Sequence, residues 1–416
     1  MQLPKYSMGV GDRFAHQGQA QLEAFILARR DGVDIAPVWN KSHREHTIVG
    51  THPVDVRAEA DHAVQARGWT GPYFVDADHI SLKTVDAFLE ASDFFTLDVA
   101  DWIAVDAGTE AVEQFVAKYE SLVGQLPIPG IDQPLEISRP MLVNAAKKFL
   151  AAIREAGRIY RRIEQAKGDQ PVVIEVSLDE TDRPQTPMEL LLILAMVAEQ
   201  RIPAQTIAPR FTGRFNKGVE YVGDAAEFGR QFEEDLAVVA FAINEFRLPK
   251  NLKLSVHSGS DKFAIYRPMY EALKKFDAGV HLKTAGTTWL EELIGLAMAG
   301  GDGLNIAKEV YRGAWGRFDE LCAPYASVVD IDRSSLPSPE VVACWDGEAF
   351  AAALRHEAAC KAYNPNLRQL LHVGYKIAAE MGRRYVAALE QHSAVIAANV
   401  THNLYERHIR PLFLGR

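Results

Sequence analysis

The chain has 416 residues, of which 48% are hydrophobic and 24% charged, with a formal net charge of −10. That balance is the one expected of a soluble globular protein, with room for one large domain and an appendage. The negative charge argues against nucleic acid or an anionic membrane surface as the main partner, but not against an anionic small molecule, because a local group of Lys and Arg overrides the global field.

No apolar run approaches the ~18 residues of a spanning helix, and Met1–Tyr6 has no apolar core of a signal peptide. Cys322, Cys344 and Cys360 lie far apart, without a Cys-x-x-Cys spacing, which points to a reducing cytoplasm and to ordinary packing roles. The first predicted strand, Tyr6–Val10, is closed by Gly11-Asp12-Arg13-Phe14. Gly9-Val-Gly11 lacks the third glycine of a dinucleotide loop and is discounted. A helix follows over Ala20–Arg30, with Leu22, Phe25, Ile26 and Ala28 on its apolar side. Ile35–Trp39 is the second strand, ending in Asn40-Lys41-Ser42, and Val54–Arg67 is the next helix. Tyr73–Val75 opens the third strand, whose end reads Asp76-Ala-Asp78-His79-Ile80. Alternation puts Asp76 and Asp78 on one face and His79 on the other. Val85–Glu90 is a short helix, and Phe94–Leu97 a fourth strand ending in Asp98-Val-Ala-Asp101.

Residues 102–170 interrupt the rhythm with helices over Glu110–Leu122 and Arg139–Gln165, separated by a Pro/Gly break at Leu126–Pro134. They read as one enlarged connection. Alternation resumes with strands Val172–Val176, Ala204–Ala208, Leu252–Val256 and Gly279–Leu282. The helices between them are Pro187–Glu199, Asp224–Asn244 and Tyr266–Lys275. Eight strands alternating with helices predict a (β/α)8 barrel of TIM type over residues 1–286, with a helical insertion at 102–170 after strand four. The remainder, 287–416, reads as a helical C-terminal extension packed on the barrel.

Barrel active sites lie at the carboxyl ends of the strands. Those ends carry Asp12/Arg13, Asn40/Lys41, Asp76/Asp78/His79, Asp98/Asp101, Glu175/Ser177/Asp179, Arg210, His257/Ser258 and His281/Lys283. Carboxylates, amides and cations with little apolar surface suit a sugar or sugar acid. Buried carboxylates and imidazoles need compensation, either a metal ion or a salt-bridge network. His79, His257 and His281 come from three strands and together suit a Lewis-acid metal, each alone being an ordinary rim histidine. Glu175, flanked by Ile174 and Val176, is expected to be desolvated with a raised pKa suited to proton transfer, or else to partner a barrel cation such as Lys283 or Arg210. Asp78 is either a second acid–base group or a partner that orients a histidine. Lys283, on the same face as His281, is a candidate carboxylate binder or, if desolvated, a Schiff-base amine. Arg13, Lys41, Arg210 and Lys283 are the candidate cations for a substrate carboxylate.

Longer strings then identify a family. Met8-Gly-Val-Gly-Asp-Arg-Phe, Pro37-Val-Trp-Asn-Lys-Ser, Tyr73-Phe-Val-Asp-Ala-Asp-His-Ile, Ser92-Asp-Phe-Phe-Thr-Leu-Asp-Val-Ala-Asp and Val256-His-Ser-Gly-Ser-Asp-Lys-Phe resemble the tagaturonate epimerase family, over nearly the whole chain. The resemblance implies a divalent-metal-dependent isomerase (zinc, manganese or nickel type) interconverting D-tagaturonate and D-fructuronate in hexuronate breakdown. It further implies Asp78 as proton acceptor, Glu175 as proton donor, and His79, His257 and His281 as metal ligands. A metal-dependent aldolase or ketose isomerase, and a non-catalytic sugar-acid binding protein, are the other readings. The expected partner is a small sugar acid, with no nucleic acid and no membrane; a homo-oligomer is allowed.

Overall fold

The computed structural model describes residues 1–284 and 287–416. Among them, eight parallel strands close into a barrel: β1 Tyr6–Val10, β2 Ala36–Ser42, β3 Phe74–Ile80, β4 Phe94–Asp98, β5 Val173–Ser177, β6 Ala204–Ala208, β7 Lys253–Val256 and β8 Val280–Thr284. Neighbours follow chain order round the ring, and β8 pairs with β1, Tyr6 opposite Val280 and Val10 opposite Thr284. Each parallel pair needs a crossover, which the intervening helices supply.

Period-two alternation sorts each strand into an outer and an inner face. Outward residues such as Val75, Phe95, Ile174, Val176, Val256 and Leu282 join the main apolar core beneath the helices. Inward, the amino ends supply an apolar floor of Leu3, Ala36, Val38, Phe74, Phe94 and Val173. Two residues further along, the same faces present Asp76, Thr96 and Glu175, all buried. The barrel is therefore apolar at its base and polar toward its mouth.

The crossover from β4 to β5 is enlarged, as expected. It holds a helix Thr109–Lys118, a two-stranded antiparallel ribbon pairing Gly124–Leu126 with Leu135–Ile137, and a helix Arg139–Lys167 that packs on helix Pro187–Glu199. The long helix begins where Ser138 accepts the Met141 N–H and Pro140 occupies the first turn.

The C-terminal part does more than lie on the barrel. Its last helical segments, Ser393–His402 and Asn403–Leu414, sit between helix Gly18–Arg30 and helix Phe263–Lys275 and complete the outer ring. Thr401 donates to the Ala20 carbonyl (2.8 Å), Tyr405 donates to Asp31 (2.6 Å), and the Phe413 ring meets Tyr6 at 5.3 Å. The boundary expected at 286/287 adjoins residues 285–286, which lie outside the described residues. Among the described residues, no helix is long and apolar enough to cross a membrane.

Candidate active site

β3 brings the first group of side chains to the mouth. Asp76 and Asp78 face inward, as alternation requires, but His79 does not face outward as expected. Pairing with β4 shifts register between Ala77 and Ile80, and His79 takes a φ of 50°. Such a bulge re-aims the side chain, and a left-handed backbone is costly for a residue other than glycine. The imidazole consequently turns over the mouth. Its centroid is 5.1 Å from that of His257, its Nδ1 3.7 Å from Asp98 Oδ2, and its Nε2 3.8 Å from Asp78 Oδ1.

Below it, the Lys283 ammonium lies 2.7 Å from Asp78 Oδ1, 2.9 Å from Asp76 Oδ2 and 3.2 Å from Glu175 Oε1, and donates to Thr96 Oγ1 at 2.6 Å. Burial opposes ionisation throughout this group, but the cations outweigh it at two carboxyls. Asp78, facing Lys283 and His79, is held down at about 2, and Glu175, facing Lys283 and His257, well below the ordinary carboxylate range. At Asp76 burial prevails, helped by repulsion from Asp78 and Glu175, and raises it to about 7. Three carboxyls round one ammonium do not all ionise readily, and Asp76 is the one whose ionisation is most disfavoured. The raised pKa expected of Glu175 is thus corrected: Ile174 and Val176 point to the helices, while Glu175 itself points at two cations. Lys283 is raised well above its ordinary value by its three carboxylates despite burial, so it stays an ammonium, unsuited to a Schiff base.

His257, just beyond β7, has Nε2 2.7 Å from Glu175 Oε1 and Nδ1 3.3 Å from Asp179 Oδ1. His79, Asp179 and His257 each present one ligand atom within 4.8 Å of the other two. These residues fit a divalent cation. Nδ1 of both His79 and His257 is buried with no hydrogen-bond partner among the described residues. Burial disfavours the charged imidazoles, yet Asp78, Asp98 and Asp179 raise His79 to about 10, and Asp179 and Glu175 raise His257. The carboxylates that raise both imidazoles also favour a metal ion in place of those protons.

The three predicted histidines are not brought together. His281 faces inward but lies two residues below Lys283, with Nδ1 2.9 Å from Ser7 Oγ and its ring 5.3 Å from that of Phe94 in the floor. Burial pushes it down to about 3, so it is neutral. Asp179 completes the group instead. Its signal was in the sequence, since Glu175, Ser177 and Asp179 follow one another at the spacing of a single strand face.

The candidate cations also separate. Lys41 is buried, donates to the Arg13 carbonyl at 2.7 Å and is lowered by burial. The Arg210 guanidinium donates to the Thr181 carbonyl. Arg13 has Nε 3.2 Å from Glu45 and stacks on Tyr375 at 4.2 Å, but its buried Nη1 has no partner among the described residues. Asp12 serves structure, accepting the backbone N–H groups of Phe14, Ala15, His16 and Gln17.

A closed parallel barrel with carboxylates, a lysine and imidazoles gathered at the carboxyl ends of its strands is the architecture of a (β/α)8 enzyme. The family model described as tagaturonate epimerase matches residues 1–407. The Tagaturonate/fructuronate epimerase of Thermotoga maritima is 26% identical, covering 97% of this chain and 80% of that protein. The native crystal structure of fructuronate-tagaturonate epimerase UxaE from Cohnella laeviribosi superposes with a TM-score of 0.81 at 24% identity, over 99% of this chain and 82% of that one. Its complex with two glycerols gives 0.82 at 23% identity, over 99% and 83%. The chain belongs to the tagaturonate epimerase family and is an epimerase, an enzyme of the isomerase class.

Proposed function

We propose that this protein interconverts D-tagaturonate and D-fructuronate with the help of a divalent cation. The observation that carries the proposal is the Asp78–Lys283–Glu175 cluster lying beneath the His79–Asp179–His257 group in a chain of this family. Asp78, ionised beside Lys283, is the proton acceptor. Glu175 is the second acid–base group, and its Oε2 is buried with no partner among the described residues. Lys283 touches both carboxylates, so a proton taken up at one is returned at the other through the same ammonium. Reversal of direction exchanges the two roles. His79, Asp179 and His257 would hold the cation, which when bound supplies Lewis-acid stabilisation of negative charge on the substrate oxygens. Unpaired cysteines accord with a cytoplasmic setting.

The test is an NMR assay of both sugar acids with the chelator-treated protein, before and after addition of zinc, manganese or nickel. Activity should vanish on chelation and return with metal, and His79→Ala and His257→Ala should lose bound metal. Asp78→Asn and Glu175→Gln should keep substrate binding while turnover falls on the order of 10²–10⁴-fold. Full activity in verified metal-free protein removes the metal from the proposal, and absence of turnover with every metal removes the substrate pair.

A further inference from the structure

We propose that the C-terminal region completes a carboxylate-binding subsite at the barrel mouth, in which Arg13, Lys217 and His372 grip the anionic end of the substrate. Three separate parts of the chain supply it. Arg13 follows β1 and is 5% exposed, with its guanidinium over the Tyr375 ring and its Nη1 unpartnered among the described residues. Three residues before Tyr375 stands His372, 4% exposed, whose Nδ1 is likewise buried without a partner among the described residues. Lys217 comes from the loop after β6. It is half-buried, and among the described residues it forms no ion pair; its ammonium donates to Ser258 Oγ at 3.3 Å, next to His257.

The loop bearing Lys217 is pressed against His372. Gly218 has a φ of 72°, and a β-carbon placed on it would stand 3.0 Å from the imidazole. The assembly is also locked. Arg368, wholly buried, donates to the carbonyls of Gly218 (2.5 Å) and Leu354 (2.8 Å) and to Asp261 (2.9 Å). Lys262 donates to the carbonyls of Asn216 (2.9 Å) and Val219 (2.6 Å). The loops after β6 and β7 and the C-terminal helices thus form one block.

Buried donors without partners are costly unless something completes them. A carboxylate offers about four acceptor sites and a negative charge, which matches a guanidinium nitrogen, an ammonium and one imidazole N–H. Burial, together with Arg13 and Lys217, pushes His372 well down, so it takes part as a neutral donor. Neither Lys217 nor His372 lies at the end of a barrel strand, which is why a reading of strand ends passes over them. The inference rests on the epimerase reading, since both sugars named there carry a terminal carboxylate.

The test compares D-tagaturonate with the neutral ketose D-tagatose by calorimetry, in wild type, Lys217→Met and His372→Leu. Melting curves check that each variant is folded, and Lys217→Met, at a half-buried position, keeps the test available if His372→Leu does not fold. The affinity ratio of tagaturonate to tagatose should fall about tenfold or more in Lys217→Met. An unchanged ratio in Lys217→Met, or an equal loss for both sugars, overturns the subsite. Failure of the epimerase reading looks different, because wild type would then neither bind nor convert tagaturonate. In that event D-galacturonate and D-galactose decide. Thermal stabilisation of wild type by the acid alone, lost in Lys217→Met, supports the subsite, and no such difference refutes it.

Discussion

On helix Ala225–Glu245, Asp235 is turned into the core, with neither carboxyl oxygen hydrogen-bonded among the described residues. Burial, with Glu234 adding to it, raises its pKa well above the ordinary 3.8. Its folded pKa therefore exceeds its unfolded one, and its contribution is fully present below 3.8 and lost as pH rises through the folded value. Asp235→Asn imitates the protonated acid and should remove this dependence. In urea denaturation the variant should match wild type near pH 4 and gain on it by up to about 1.4 kcal/mol per pH unit above that. Parallel pH profiles would mean that Asp235 finds a partner when ionised. Facing also decides what the sequence could reveal at single positions. Asp76, Asp78, Glu175, Asp179 and Lys283 are inward by simple alternation, so their grouping is legible. The protonation of Glu175 is not, because it depends on Lys283 and His257, 108 and 82 residues away. The aim of His79 is hidden too, since a bulge reverses it without a glycine to mark the place.

At the scale of elements, the strands were readable because each is a short, largely apolar run ended by polar residues, and two of the eight, Tyr6–Val10 and Ala204–Ala208, have the predicted bounds. The partner of each C-terminal helix was not readable, because amphipathic spacing marks an apolar face without saying what covers it. Helix Thr287–Ala299 shows what settles the matter. A β-carbon on Gly295 would lie 2.7 Å from Ile396 Cγ1 and 2.8 Å from Ile396 Cα, so the backbone of segment Ser393–His402 runs directly against this glycine. Backbone cannot step aside as a side-chain tip does. Gly295→Ala should force the two helices apart and cost about 1–3 kcal/mol. Gly316→Ala is the contrast, since a β-carbon there meets nothing within 4 Å, and loss of backbone freedom in the unfolded chain should make it neutral or stabilising by up to about 1 kcal/mol. Guanidinium denaturation of both variants checks the pair; equal effects would mean that the close approach is not maintained.

Across the whole molecule, the C-terminal helices bring Tyr375 over Arg13 at the mouth of the barrel, and this cover bears on the chemistry proposed for the interior. Tagaturonate and fructuronate differ at a carbinol carbon β to the ketone. Removing that C–H proton would leave a carbanion with no adjacent carbonyl to delocalise it, so simple enolisation does not reach the atom that must invert. A β-hydroxy ketone has another route. On the proposed roles, Asp78 would deprotonate the β-hydroxyl, the bond between the α- and β-carbons would break, and an enediolate and an aldehyde acid would result. The aldehyde would turn over, the bond would re-form on its other face, and the alkoxide would recover a proton through Lys283 and Glu175. Such a route requires a closed site, because a free aldehyde fragment would diffuse away, and it requires the carboxylate end to stay anchored while the aldehyde carbon rotates. Tyr375 and its neighbours stand on the side where such a cover is needed, and the proposed Arg13–Lys217–His372 cluster would supply the anchor. In deuterium oxide, the inverted carbon should therefore keep its protium through complete equilibration of the two sugars, as followed by proton and carbon NMR. Variants that loosen the anion grip should in addition leak dihydroxyacetone and the three-carbon aldehyde acid. Stoichiometric deuterium at the inverted carbon would show instead that its C–H bond breaks, and direct proton abstraction would replace cleavage as the mechanism.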